Sequence, residues 1–355
     1  MKIAFAVIED TEGRRNSSVR YLSGMPSDSL LFLFASGKSV LSPWDINLAE
    51  QYATADEIIP YTEFGRSLPD AVPGIISLNK IEKKSKIELT SRIPHPVFME
   101  IKKRLPEMEM VCSEEGIDSI IEKERIIKDE GEISIMRKAA DITNSIIDSI
   151  ETSFSENLFK TELDAAVFIE TEARKYGAEG VGFETIAAGS ERSYAIHAFP
   201  SFTNKPIGTQ GLSILDFGIK YRGYTSDVTM TIARNPSKKQ KELLFHVEKA
   251  YNLALETAAP GVLSSSLAEN VDDYFSKNNY FMPHSLGHGI GLDAHEDPLI
   301  RNTRTNKTEL KPGMIITIEP GLYYPETGGA RLENDILITE NGMEVLTRSR
   351  ILNFP

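Results

Sequence analysis

Arg331-Leu-Glu-Asn-Asp-Ile-Leu-Ile-Thr339 sets carboxylates inside an apolar, period-two pattern, which predicts a β-strand. Three other stretches read the same way: Ser213–Phe217 (SILDF), Val228–Ala233 (VTMTIA) and Met314–Ile318 (MIITI). Helical patterns lie among them. Ile133, Met136, Ala140, Ile146 and Ile150 can share one helix face, with Lys and Asp on the other. Thr161, followed by Asp164, can cap a helix running to about Tyr176, where Gly177 stops it. Pro236-Ser237 opens another, which carries Leu243, Leu244, Val247, Ala250 and Tyr251 before Pro260-Gly261 ends it. Helices set apart from an antiparallel-looking strand set predict an α+β fold rather than a doubly wound α/β fold.

Upstream, Ile3–Ile8 predicts a first strand and is too short for a signal-peptide core. Leu30–Ala35 and Ser39–Leu41 predict two strands around the turn Ser36-Gly37-Lys38. A helix near Ile46–Ala53 and a short strand at Glu57–Pro60 follow, so this part reads as a small α/β domain. The lysine-rich stretch from Ile81 to Arg104 fits neither template. A charged segment, Glu122–Glu132, places the boundary within 122–128 and gives domains 1–124 and 125–355. No repeat or low-complexity segment interrupts them.

The chain has 355 residues, 41% of them hydrophobic, enough for a sizeable core. Asp and Glu number 52 against 39 Lys and Arg, for a net charge of −13, which argues against a nucleic-acid partner. The short basic run Lys238-Lys239-Gln240-Lys241 reads as a solvated helix face. Cys112 is the sole cysteine, so neither an intrachain disulfide nor a thiolate metal site can form. No stretch approaches the ~20 apolar residues of a membrane helix. A cytoplasmic protein without membrane partners is expected.

Of the six histidines, His246 lies within an apolar helix pattern and His95 between prolines, so both read as structural. His197, His284, His288 and His295 stand apart. His288 is flanked by Gly287 and Gly289, which leave room for another group to approach, although the glycines also fit a simple turn. Asp216, Glu319, Glu333 and Asp335 sit on apolar strands, where a buried carboxylate needs a partner or a cation. Period two also allows each of them to face outward. An oxygen-rich set with one imidazole suits divalent ions, and two ions sharing carboxylates can activate a water. The spacing alone does not decide between these readings.

At these residues the chain resembles the pita-bread metallopeptidases, in their prolidase and aminopeptidase P branch. Five blocks carry the resemblance: Phe183–Gly189 with His197; Leu215–Gly218 with Tyr224–Asp227; Gly287–Leu292 with His295–Pro298; Gly313–Tyr323; and Gly329–Asp335. Their order and spacing also agree, from about Arg125 to the end. In the first domain, Val19–Gly24 looks like the entry to the family's N-terminal, creatinase-like domain.

The resemblance implies two divalent metals (Mn, Co, Fe or Zn) per subunit, held by Asp216, Asp227, His288, Glu319 and Glu333. Asp227 and Glu333 would bridge both metals. Glu319 would also serve as general acid/base, moving a proton from the activated water to the leaving amine. His197 and His295 match non-ligand histidines that hold substrate and stabilise the oxyanion. His284 and Arg331 match positions near the substrate's proline and its carboxylate. Two departures stand out. Met230 replaces an arginine usual in the Ser-Asp-x-Thr-Arg-Thr pattern, and the chain starts directly at a strand.

The expected activity is metal-dependent hydrolysis of Xaa-Pro dipeptides by a homodimer, with aminopeptidase action on longer Xaa-Pro peptides as the alternative. Proline makes the scissile amide tertiary and brings a rigid ring that a shaped pocket can select. A methionine aminopeptidase would share the ligands without needing His284 or the first domain. A binding-only relative, or a metal-free creatinase-like hydrolase, would be expected to lack part of this ligand set.

Overall fold

Leu30-Leu-Phe-Leu-Phe34 is apolar at every position because its strand is covered on both faces. Leu30 and Phe32 pack with Phe5, Val72, Ile75 and Ile87, whereas Leu31 packs with Ile8, Val19 and Leu41. The computed structural model describes residues 3–355. Two compact units make up the chain, Met1–Glu124 and Arg125–Pro355.

In the first unit the described residues form a six-stranded mixed sheet, in the order Glu57–Ile58, Ser39–Pro43, Ser29–Phe34, Ile3–Asp10, Lys86–Leu89, Glu109–Val111. The expected hairpin is present, with Gly37 at φ +90° in its turn. The lysine-rich stretch contains the strand Lys86–Leu89 and the helix His95–Arg104. Lys102, Lys103 and Arg104 fall in that helix's last turn, where positive charge meets the negative end of its dipole.

The second unit is built as two halves. Capping boxes at Asp129/Glu132 and Thr161/Asp164 open the helices Glu130–Ser155 and Glu162–Lys175. Both helices pack on a sheet in the order Leu352–Phe354, Val228–Arg234, Gly211–Phe217, Ile186–Ala188. A third box, Ser237/Gln240, opens Lys238–Thr257, which packs beside Ser264–Lys277. This second pair covers a sheet in the order Glu296–Ile300, Gly287–Gly289, Ile315–Ile318, Asn334–Thr339, Gly342–Val345. No helix among the described residues is long and apolar enough to cross a membrane.

The stretch 331–339 is not one strand. Gly328–Arg331 pairs with Gly321–Tyr324, and Asn334–Thr339 pairs with Ile315–Ile318. Between them Glu333 leaves both ladders and bridges to Thr229 of the other half. The apolar alternation runs through this break because both segments bury their apolar residues.

Met230 lies on the strand face turned toward the helices, in one cluster with Leu215, Phe217, Val228 and Ile232. It is fully buried there. Its side chain therefore fills core on the side of the strand away from Thr229 and Thr231.

Phe154 anchors the same cluster, edge-on to Phe159 at 5.0 Å between ring centroids. Phe154→Ala should lower stability by about 3–5 kcal/mol through the lost burial and the cavity it leaves. An unchanged urea midpoint for the unfolding of this unit would contradict that packing.

Candidate metal centre

Strand period two places the polar residues of each half on one face and the apolar residues on the helix-covered face. In the first half Asp216 pairs in register with Thr229 on the adjacent strand. Every residue of Gly211–Phe217 is buried, so Asp216 has no outward face to occupy. Asp227 immediately precedes Val228–Arg234, and its backbone N–H donates to both carboxylate oxygens of Asp335, at 3.2 and 3.3 Å. In the second half His288 sits mid-strand, Glu319 directly follows Ile315–Ile318, and Glu333 occupies the bridge between halves.

The seam fixes these groups. Thr229 Oγ1 donates to Glu333 Oε2 (2.7 Å), and the Glu333 N–H donates to the Thr229 carbonyl (3.2 Å). Thr231 Oγ1 donates to the Arg331 carbonyl (2.8 Å). Ser349 Oγ lies between the carbonyls of Thr229 and Glu333.

One ligand oxygen each from Asp227 and Glu333 and one ring nitrogen of His288 lie within 4.8 Å of one another. His288 Nε2 is 3.8 Å from Asp227 Oδ2 and 3.7 Å from Glu319 Oε1, both beyond hydrogen-bond length. Its Nδ1 lies 3.1 Å from the Gly289 carbonyl. A proton donated there leaves the Nε2 lone pair facing the carboxylates. Asp227 Oδ1 is buried and has no hydrogen-bond partner. Asp216 is engaged by Arg331, at 2.5 Å from Nη2.

The electrostatics are strained in one direction. Burial, then the charges of Glu333 and Asp216, hold the Asp227 carboxyl well above its usual range. Burial and Glu333 do the same to Glu319. Burial and Asp216 push Glu333 up to about 7, against hydrogen bonds from Thr229 and Thr317. Burial likewise raises Asp335, which accepts only partial relief from the Asp227 N–H. His284 and His288 are driven by burial down to about 4. Several carboxylates thus compete for too few protons and one guanidinium, a site that bound cations would relieve.

Of the remaining predicted residues, His295 packs at a tilt against His288 with ring centroids 4.2 Å apart. Burial lowers its pKa, with nearby His197 adding to the effect. His197 lies on an exposed turn. The loop carrying it is drawn in by Glu162, a fully buried carboxylate that accepts from the Gly189 N–H (2.8 Å), Arg192 Nε (3.1 Å) and Thr203 Oγ1 (2.6 Å). His284 Nε2 meets the Tyr323 hydroxyl at 3.0 Å. Arg331 is buried, with Nε on Thr229 Oγ1 (2.9 Å) and Nη1 on Tyr323 Oη (2.7 Å) and the Ile196 carbonyl (3.2 Å). His246 pairs with the Tyr274 hydroxyl at 2.9 Å, away from this cluster and within the helix pair.

The glycines beside His288 serve a different end from the one the sequence suggests. A Cβ at Gly287 would sit 2.0 Å from the Thr317 carbonyl oxygen, and one at Gly289 would sit 2.1 Å from that of Asp297. Neighbouring strands, not a ligand, occupy the space. Sequence reasoning also passed over Thr229 and Tyr323. Tyr323 lies four residues beyond Glu319 in a motif already singled out, but nothing in its spacing tells that its hydroxyl joins Arg331 to His284.

Residues 134–340 match metallopeptidase family M24. The chain belongs to this family. It is 34% identical to the Xaa-Pro dipeptidase of Pyrococcus horikoshii, over 94% of this chain and 91% of that one. It is 39% identical to the Xaa-Pro dipeptidase of Pyrococcus furiosus over 66% of each chain. Among solved structures, the X-Pro aminopeptidase of Thermotoga maritima superposes with a TM-score of 0.84 at 28% identity, covering 99% of this chain and 97% of that one. The prolidase of P. horikoshii gives 0.82 at 30% identity, over 98% and 94%. The fold of the M24 unit is the pita-bread fold, within a mixed α and β chain.

A pH prediction follows from Glu333. Its folded pKa is raised, so its contribution favours folding below its ordinary 4.5 and is lost as pH rises toward about 7. In chelated protein, Glu333→Gln should therefore gain stability over wild type progressively across that window. Added Mn²⁺ should reverse the order. A pH-independent difference in urea midpoints would contradict the crowding.

Proposed function

We propose that this chain is a metal-dependent peptidase of the prolidase and aminopeptidase P kind that hydrolyses the Xaa-Pro bond of dipeptides. The observation that carries the reading is the convergence of Asp227, His288 and Glu333 on one point, with Asp227 Oδ1 buried and unpartnered. The relatives named Xaa-Pro dipeptidase support the substrate class.

Asp216, Asp227, His288, Glu319 and Glu333 would hold two divalent ions. Four carboxylates and one imidazole accept Mn, Co, Fe or Zn. When bound, such ions polarise the scissile carbonyl and make water acidic enough to attack it near neutral pH. Glu319 takes the proton from the attacking water and delivers it to the proline nitrogen as the C–N bond breaks. Its carboxylate, set at the end of Ile315–Ile318 with Oε1 3.7 Å from His288 Nε2, is placed among the ligands where both halves of that task occur. The leaving nitrogen needs this proton, because an amide anion is far too basic to depart as such.

His295, held neutral by burial, donates an N–H to the substrate oxygen as it gains charge, and His197 assists from its turn. The resemblance puts His284 near the substrate's proline, and its Nε2 meets the Tyr323 hydroxyl. The family pattern puts Arg331 near the substrate's carboxylate. Because four of its five N–H donors are already taken within the protein, we assign it to positioning Asp216 and Tyr323. We further propose that residues 1–124 form the α/β accessory domain and 125–355 the catalytic domain of a cytoplasmic homodimer.

The runner-up is an Xaa-Pro aminopeptidase acting on longer peptides, favoured by the superposition on the T. maritima enzyme. Hydrolysis of Ala-Pro and Ala-Pro-Ala, after chelation and then with Mn²⁺ or Co²⁺ restored, separates the two. Cleavage of the dipeptide alone, and only with metal, is expected; equal or faster cleavage of the tripeptide moves the assignment to aminopeptidase. Neither being cleaved with any metal would remove the enzymatic reading. His295→Ala should keep its metal and lose turnover, whereas Glu333→Ala should lose both, by metal analysis alongside the assay.

A further inference from the structure

Outside the carboxylate cluster, the second unit contains one other dense group of buried charges. Glu296 follows His295 directly, and its side chain is only 8% exposed. Two cations close over it. Arg125 Nη2 contacts Glu296 Oε1 and also Asp293 Oδ2 (2.7 Å), and Lys128 Nζ lies 3.1 Å from Glu296 Oε2. Arg125 and Lys128 are themselves 6% and 1% exposed at the side chain.

This group sits at the neck of a short loop. Gly289 and Glu296 are paired across a strand ladder, so residues 290–295 form the loop that ends in His295. The Gly291 N–H donates to the Asp293 carbonyl (3.1 Å), and the Asp293 N–H donates to Glu296 Oε1 (3.1 Å). The carboxylate is tucked under the loop so closely that a Cβ on Gly291 would lie 2.7 Å from it. The clamp is tied in turn to the rest of the site. The Lys128 N–H donates to the Gly313 carbonyl (2.9 Å), and Ile127 bridges Met314, at the start of the strand that ends beside Glu319.

A buried ion pair adds little net stability over an apolar replacement of the same shape, and its clearest effect is to impose geometry. Here the geometry imposed is that of the loop bearing His295. We propose that Glu296, gripped by Arg125 and Lys128, is a positioning residue that sets the His295 ring against His288 and toward the substrate oxygen. This rests on the role given to His295 above. A ring displaced by even about 1 Å from its productive position costs up to roughly 100-fold in rate.

A double-mutant cycle on the Mn²⁺-loaded enzyme with Ala-Pro tests this. Glu296→Gln should lower kcat by about 10–100-fold, with KM nearly unchanged and bound metal per chain intact. In a His295→Ala background, the same substitution should cost less than about twofold more, since the group it positions is gone. Glu296→Gln with Lys128→Met removes the carboxylate and one of its cations together, leaving Arg125 to Asp293, and supplies the same cycle should the single variant fail to fold. If the two losses multiply in full, or if Glu296→Gln strips the metal, the clamp does not act through His295 and the proposal fails. Full turnover by His295→Ala would instead overturn the reading of His295 itself, and this proposal with it.

Discussion

Two threonines on the strand Val228–Arg234 hold the second unit's halves in contact. Thr229 bonds Glu333 through both backbone and hydroxyl, and Thr231 bonds Arg331 on both its N–H and its carbonyl. The helix pairs pack each on their own sheet, so the seam between sheets relies on these polar contacts. It must be polar, because a strand side chain aimed at the seam faces buried carboxylates. Threonine suits the place: its methyl group packs, its hydroxyl satisfies one acceptor, and its β-branch favours the strand.

That seam forces a concentration of charge. Asp216 and Asp227 come from one half, and His288, Glu319 and Glu333 from the other, and all but Glu319 are buried with no outward face to which they could retreat. Arg331 offsets part of the charge through Asp216. The remainder appears as raised carboxyl pKa values and an unpartnered Asp227 oxygen. Free energy spent on such an arrangement has to be recovered from something bound there.

The sequence made some of this plain. The cap at Thr161, the opening at Pro236-Ser237 and the apolar stripe from Ile133 to Ile150 announce their helices, because capping and amphipathicity are local. His288, Asp216, Glu319 and Glu333 stand out by their company, a histidine and carboxylates inside apolar strands, whereas Asp227 is named only by the family resemblance. The break at Leu332–Glu333 could not be picked out, since both flanking segments bury alternate residues and the pattern passes straight through. Nor could the reason for Gly287 and Gly289, which depends on strand neighbours remote in the chain. Tyr323, Glu162 and Glu296 act through partners up to 171 residues away, and only the fold makes those partnerships visible.

The strand Val228–Arg234 is at once wall and floor: Val228, Met230 and Ile232 are core, while Asp227, Thr229 and Thr231 line the seam. A slip of one residue in its pairing would exchange the two sets, driving an aspartate into hydrocarbon and a methionine among carboxylates. No intermediate register exists in which the site is half assembled. Competence at this site is therefore digital: a chain either has the pairing Thr229–Asp216 and everything that hangs on it, or it has neither core nor centre.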